Sequence, residues 1–128
     1  MKNSKLHTIK QYKNFFFGKT VIVTGHTGFK GSWLSYVLWL FGAKVIGISS
    51  YELGQNSNYK VLNINSKIYK EFKIDICNLD KLKSIFIKSK PDIIYHLAAQ
   101  SLVSKSIKEP IETFKTNVIG TANILEIS

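Results

Sequence analysis

The stretch Thr24-Gly25-His26-Thr27-Gly28-Phe29-Lys30-Gly31 sets three glycines at three-residue spacing, directly after the apolar run Val21-Ile22-Val23 and before a helical pattern through residues 33–41. A bare glycine triplet would be a weak signal, but a strand before it and a helix after it mark a dinucleotide clamp. Gly25 takes the tight strand-to-helix turn, Gly28 presents no Cβ to a pyrophosphate, and Gly31 lets the new helix lie close on the sheet. Backbone N–H groups of the first helical turn then face the anion.

Outward from this clamp, residues 19–24 read as a buried strand, and Trp33, Leu34, Val37, Leu38 and Phe41 recur at helical spacing up to the helix stop Gly42. Residues 44–48 form a second apolar strand. The polar stretch 49–66 holds at most one helical turn near residues 59–62, and it is long enough to line a binding site. A third strand spans residues 69–74, and a helix over 80–88 carries Leu82, Ile85 and Phe86 on one face. Pro91-Asp92 opens a fourth strand, 93–97. After Pro110, Ile111, Phe114, Val118, Thr121, Ala122 and Leu125 continue as one long helix to the end of the chain. The alternation predicts a doubly wound parallel α/β sheet of the Rossmann type, strand order 3-2-1-4, incomplete at its carboxyl end. Residues 1–14 are polar and lack a clear period. They read as a loose basic arm, with Leu6, Ile9 and Tyr12 offering at most a short helix on the edge, ahead of the nucleotide-binding portion at residues 15–128.

Composition narrows the function. At 128 residues the chain is one domain's worth, short for an enzyme with separate cofactor and substrate lobes. A net charge of +10 invites a nucleic-acid reading, yet all 18 basic residues are scattered lysines and none is the arginine that reads phosphates and bases bidentately. No nucleic-acid partner is expected. The single cysteine, Cys77, excludes an internal disulfide and leaves no zinc spacing, which fits a reducing cytoplasm. The longest apolar stretch, residues 33–43, is shorter than the roughly 20 residues a bilayer span needs, so no membrane partner is expected either.

The G-x-x-G-x-x-G spacing leans toward the short-chain dehydrogenase/reductases, and the longer string from Gly18 to Leu34, with His26-Thr27-Gly28-Phe29-Lys30-Gly31-Ser32-Trp33 at its centre, resembles the opening of the CDP-glucose 4,6-dehydratases. Asp75-Ile76, His96-Leu97-Ala98-Ala99-Gln100 and Asn117-Val118-Ile119-Gly120-Thr121 fit the same extended short-chain family. The resemblance implies NAD as cofactor, a nucleotide-sugar substrate (CDP-glucose) and a homo-oligomer for the full-length protein. It also implies roles. Thr27, Gly28, Phe29 and Lys30 meet the pyrophosphate through backbone N–H groups; Asp75 accepts from the adenine amino group while Ile76 packs on the ring; Leu97, Ala98 and Ala99 pass beneath the nicotinamide half; Thr116 and Asn117 face the same cleft.

Plainer readings stand beside these. Asp75 can cap the following helix, His96 reads as a core or supporting histidine, Lys30 as a surface charge, and His26, with no carboxylate evident in the sequence to pair it, as a loop residue near phosphate. Where the family sets an acid for the adenine ribose, this chain has Ser49-Ser50-Tyr51 and only then Glu52. NAD rather than NADP therefore follows from the resemblance, although no arginine offers a 2′-phosphate clamp. The family's Tyr-x-x-x-Lys pair on a later helix has no counterpart: Tyr69 and Lys73 match the pattern, but in a strand, where residues four apart are separated by about 13 Å. No catalytic residue and no metal site is expected here. These features lead to the expectation of the amino-terminal part of a longer dehydratase, inactive alone. The alternatives are another nucleotide-sugar member, a GDP-mannose 4,6-dehydratase or an epimerase, and a non-catalytic dinucleotide-binding module.

Overall fold

The computed structural model describes residues 2–50, 54 and 56–128, with side chains from residue 8 onward. Tyr51 and Glu52, the positions nearest an adenine-ribose acid, lie outside the described residues. Four strands, β1 (Thr20–Thr24), β2 (Lys44–Ser49), β3 (Lys70–Lys73) and β4 (Ile93–His96), form one sheet in the order β3-β2-β1-β4. All pairings are parallel: Thr20 to Thr24 face Lys44 to Ile48, Val21 to Thr24 face Ile93 to His96, and Ile46 to Ser49 face Lys70 to Lys73.

Successive strand residues point to opposite faces, so both faces of a parallel sheet must be covered. Val21, Val23 and Val45 pack with Leu38, Ala43, Ile64, Ile68 and Phe16 on one side. Ile22, Ile46 and Ile48 pack with Ile76, Leu82, Ile85, Phe86 and Ile124 on the other. The first layer is built by α1 (Lys2–Phe16), α2 (Phe29–Leu40), the short α3 (Asn58–Val61) and a 3₁₀ turn (Ile64–Ser66); the second by α4 (Leu79–Ser89) and α7 (Gly120–Glu126). This is the doubly wound α/β sheet expected from the sequence, in the expected strand order.

Three elements differ from expectation. Residues 2–16 form a continuous helix, α1, where a loose arm was favoured; Phe16 anchors it by inserting into the core beside Phe41, while Ile9, Tyr12 and Phe15 stay exposed. A helix α5 (Val103–Lys108) occupies the span after β4; none of its residues is buried, so it leaves no apolar period to read. The long terminal helix is not uniform. It runs as α6 (Pro110–Phe114), a π turn (Lys115–Ile119) and α7, with backbone angles helical at each junction.

Candidate functional site

The carboxyl ends of the four strands converge with the amino end of α2, which is where an open α/β sheet binds ligands. Thr24 is the last residue of β1, and Gly25 follows at φ +70°, its N–H donating to Ile48 O at 2.7 Å. A Cβ at Gly25 would lie 2.7 Å from Ala98 N and 2.8 Å from Leu97 C, so the turn passes directly against the end of β4. At Gly31 a Cβ would meet Gly25 O at 2.1 Å, so the first turn of α2 rests on the loop backbone. Gly28 differs: its nearest neighbour for a Cβ is Gly25 O at 3.2 Å.

One of the amides expected to face the pyrophosphate is engaged within the loop. Gly28 N–H donates to Gly25 O at 2.9 Å and is spent inside the loop. Phe29, Lys30 and Gly31 head α2, and amides at these positions have no acceptor one turn back. Phe29 and Lys30 are exposed at this mouth. Thr27 is buried, its hydroxyl hydrogen-bonded at 2.7 Å to Ser49 Oγ at the end of β2.

Asp75 stands exposed just past the end of β3, with Oδ1 accepting from Cys77 N at 2.8 Å. It closes a turn and does not cap α4, because the cap is Asn78, which accepts from Lys81 N at 3.1 Å. Beside it, Ile76 does not offer its side chain to a ring. It is buried in the core, packed so tightly on Gly120 that a Cβ there would come within 2.4 Å of its Cδ1. The Cys77 thiol has its pKa raised, first by burial and then by the Asp75 carboxylate.

A hydrogen-bond chain that the sequence reading missed holds the end of β4. Thr121 Oγ1 donates to Asn117 O at 2.7 Å, so it accepts from His96 Nε2 at 3.0 Å. His96 Nδ1 then accepts from the Thr24 hydroxyl at 2.6 Å, and Thr24 Oγ1 in turn accepts from Leu97 N at 3.1 Å and Ala98 N at 3.2 Å. That sequence of donors requires a neutral imidazole protonated at Nε2, in keeping with a pKa lowered by burial. Asn117 clamps the next residues: Gln100 N donates to its Oδ1 at 2.8 Å and its Nδ2 donates to Gln100 O at 3.0 Å. The side chain of Asn117 is therefore committed to the loop and does not face the cleft, whereas the half-buried Thr116 beside it makes no such clamp. Both lie in the π turn, a feature frequent at functional sites. Leu97 and Ala99 are exposed and Ala98 half-buried beside the clamp.

His26 lies in the turn between β1 and α2, but its ring is turned into the protein and not toward the mouth of the clamp. It is fully buried, with Nε2 3.5 Å from Glu71 Oε1 on β3. Tyr69 is exposed and directly precedes β3 while Lys73 ends that strand, so the two make no helical Tyr–Lys pair. Among the described residues no group of His, Cys, Asp or Glu is placed to hold a metal ion, and no helix is long and apolar enough to cross a membrane.

This arrangement has relatives. Residues 22–128 match the GDP-mannose 4,6 dehydratase family. The chain is 45% identical over 114 residues to the CDP-glucose 4,6-dehydratase of Salmonella typhimurium, covering 89% of this chain and 32% of that enzyme. Among solved structures, an epimerase from Methanothermobacter thermautotrophicus superposes with a TM-score of 0.78 at 31% identity, over 93% of this chain and 34% of that one. A UDP-glucose 4-epimerase of Thermus thermophilus, solved in complex with NAD, gives 0.73 at 28% identity, over 84% of this chain and 33% of that one. The chain spans about a third of the length of the relatives it matches. The glycine cradle, the sheet order and these matches agree: the chain belongs to the GDP-mannose 4,6 dehydratase family of extended short-chain nucleotide-sugar enzymes.

Proposed function

We propose that this chain is the NAD-binding portion of a nucleotide-sugar 4,6-dehydratase whose substrate is CDP-glucose. The observation that carries the dinucleotide reading is the cradle itself: Gly25 and Gly31 sit where a Cβ has no room, and the α2 amides they bring forward open at the carboxyl edge of the sheet. That edge fits a pyrophosphate, since N–H donors and the positive end of the helix dipole coincide there. Support for CDP-glucose comes from the 45% identity to the Salmonella enzyme, together with the His26-to-Trp33 string.

In this reading the amides of Phe29, Lys30 and Gly31 hold the pyrophosphate, and Phe29 covers it with apolar surface. Asp75 accepts from the adenine amino group through the carboxylate oxygen left outside its turn. Leu97, Ala98 and Ala99 support the nicotinamide half, on a backbone fixed by Thr24 and His96. Thr116 borders the cleft. A nicotinamide held there would supply reversible hydride acceptance, the redox chemistry that a 4,6-dehydration at the sugar needs. In this reading the described residues supply binding and orientation of the cofactor.

The test is purification of the full-length protein, measurement of its NAD content, and incubation with CDP-glucose. A 4-keto-6-deoxy product, read by its absorbance in alkali, is the expected outcome. The epimerases among the structural neighbours favour a second reading, a nucleotide-sugar epimerase. It predicts inversion at a sugar carbon with no water lost, so the same incubation separates the two.

A further inference from the structure

His26 belongs to the clamp by position and to a different set of contacts by geometry. Its ring is wholly buried, lies edge-on to Tyr59 with centroids 5.7 Å apart, and would meet a Cβ at Gly47 within 2.4 Å. Glu71 Oε1 faces its Nε2 at 3.5 Å, while Tyr59 O–H donates to Glu71 Oε2 at 2.5 Å. Neither ring nitrogen has a well-aligned hydrogen-bond partner. A buried polar ring held this loosely is an exception that asks for a reason.

We propose that Glu71 and Tyr59 are positioning residues for the dinucleotide: Tyr59 fixes the Glu71 carboxylate, and the carboxylate holds the imidazole that floors the turn from Gly25 to Gly28. The proposal rests on the dinucleotide reading above. Neither residue touches the cofactor. They act through His26, whose backbone leads into Thr27 and its buried bond to Ser49. Three elements meet at the ring: β3 brings Glu71, α3 brings Tyr59, and β2 brings Gly47 and the backbone of Ile48. Among the described residues the charged group facing it is Glu71. Burial lowers the imidazole pKa, and the Glu71 carboxylate opposes that shift. The charge on Glu71 therefore tunes the protonation of a ring carried by the clamp turn and packed against Gly47 and Tyr59.

The test measures NAD affinity of the full-length protein by calorimetry from pH 5 to 8, for wild type, Glu71→Gln, Tyr59→Phe and the double variant. Each single change is expected to weaken NAD about tenfold at pH 7.5: Tyr59→Phe removes the hydrogen bond that fixes the Glu71 carboxylate, and Glu71→Gln removes the charge that faces the His26 ring. The double variant should lose little more than the larger single loss, because both act through one carboxylate. In Glu71→Gln the inflection of affinity with pH should also move to lower pH, since the charge that favours imidazolium is gone. Glutamine keeps the shape, so a role confined to packing would leave that inflection in place. Imidazole NMR of His26 in the same proteins gives a second readout, with its pKa lower in Glu71→Gln. Tyr59→Phe keeps the ring against His26, which guards against loss of folding. Affinities within twofold of wild type, or an unmoved His26 pKa, overturn the positioning role alone. A wild-type protein without affinity for NAD overturns the dinucleotide reading and this role with it.

Discussion

At the scale of single residues, the three clamp glycines separate into two kinds. Gly25 and Gly31 are hemmed in by backbone, at 2.7 and 2.1 Å from where a Cβ would stand, and Gly25 also sits at positive φ. Alanine at either should cost about 1–3 kcal/mol of stability, from overpacking and, at Gly25, a left-handed conformation. Gly28 is less crowded, a Cβ there meeting only Gly25 O at 3.2 Å, so Gly28→Ala should cost less stability than alanine at Gly25 or Gly31, whereas Gly28→Val should abolish cofactor retention by filling the space a pyrophosphate enters. Thermal melts alongside NAD content of the purified variants check this, and retained NAD in a folded Gly28→Val protein counts against the clamp assignment. Asp75 and Asn78 divide in the same way. Asn78→Ala should cost about 1 kcal/mol through the lost helix cap and leave binding unchanged. Asp75→Ala should weaken NAD more than nicotinamide mononucleotide, which has no adenine; equal losses would return Asp75 to a purely structural role.

Among the elements, the end of β4 depends on the His96 relay, and its response to acid follows from the sign of the shift. Burial holds the pKa of His96 and of His26 below the ordinary 6.5, so as pH falls the unfolded chain takes up these protons first. Stability is therefore full above about pH 6.5 and declines as pH drops from there toward the folded values. Melting temperature should fall between pH 7 and pH 5. A His96→Gln variant, less stable at pH 7.5, should show a smaller drop over that interval; an equal drop would exclude His96 as a contributor. The strands, α2 and α4 are legible because their apolar residues repeat with the period of the element, with breaks at Gly42 and Pro91, whereas the Asn78 cap of α4 shows only in the structure. Helix α5 and the π turn are not legible, since one buries nothing and the other is a change of hydrogen-bond pattern inside an unbroken helical spacing. Much the same holds for the site. The glycine motif announces the clamp, but the partners of His26, Thr24 and Asn117 lie on other strands and loops, and only the sheet register brings them together. The sequence reading left His26 without a carboxylate for that reason.

For the whole molecule, the described residues place no tyrosine and lysine one helical turn apart at the cleft, since Tyr69 and Lys73 lie along a strand edge. The 128-residue chain by itself should show no turnover of CDP-glucose, measured as absence of the alkaline 4-keto absorbance, and turnover by this piece would require a different set of catalytic groups. The sheet order has a further consequence, for synthesis on the ribosome. Strand β1 leaves before β2, β3 and β4 yet pairs on both sides, with β2 and with β4, and its Val21, Ile22 and Val23 are fully buried. At translation speeds of roughly 5–20 residues per second, several seconds pass between the emergence of β1 and that of β4. Over that interval the nascent chain carries an unshielded apolar strand with one open edge, the kind of segment that chaperones recognise and neighbouring nascent chains can capture.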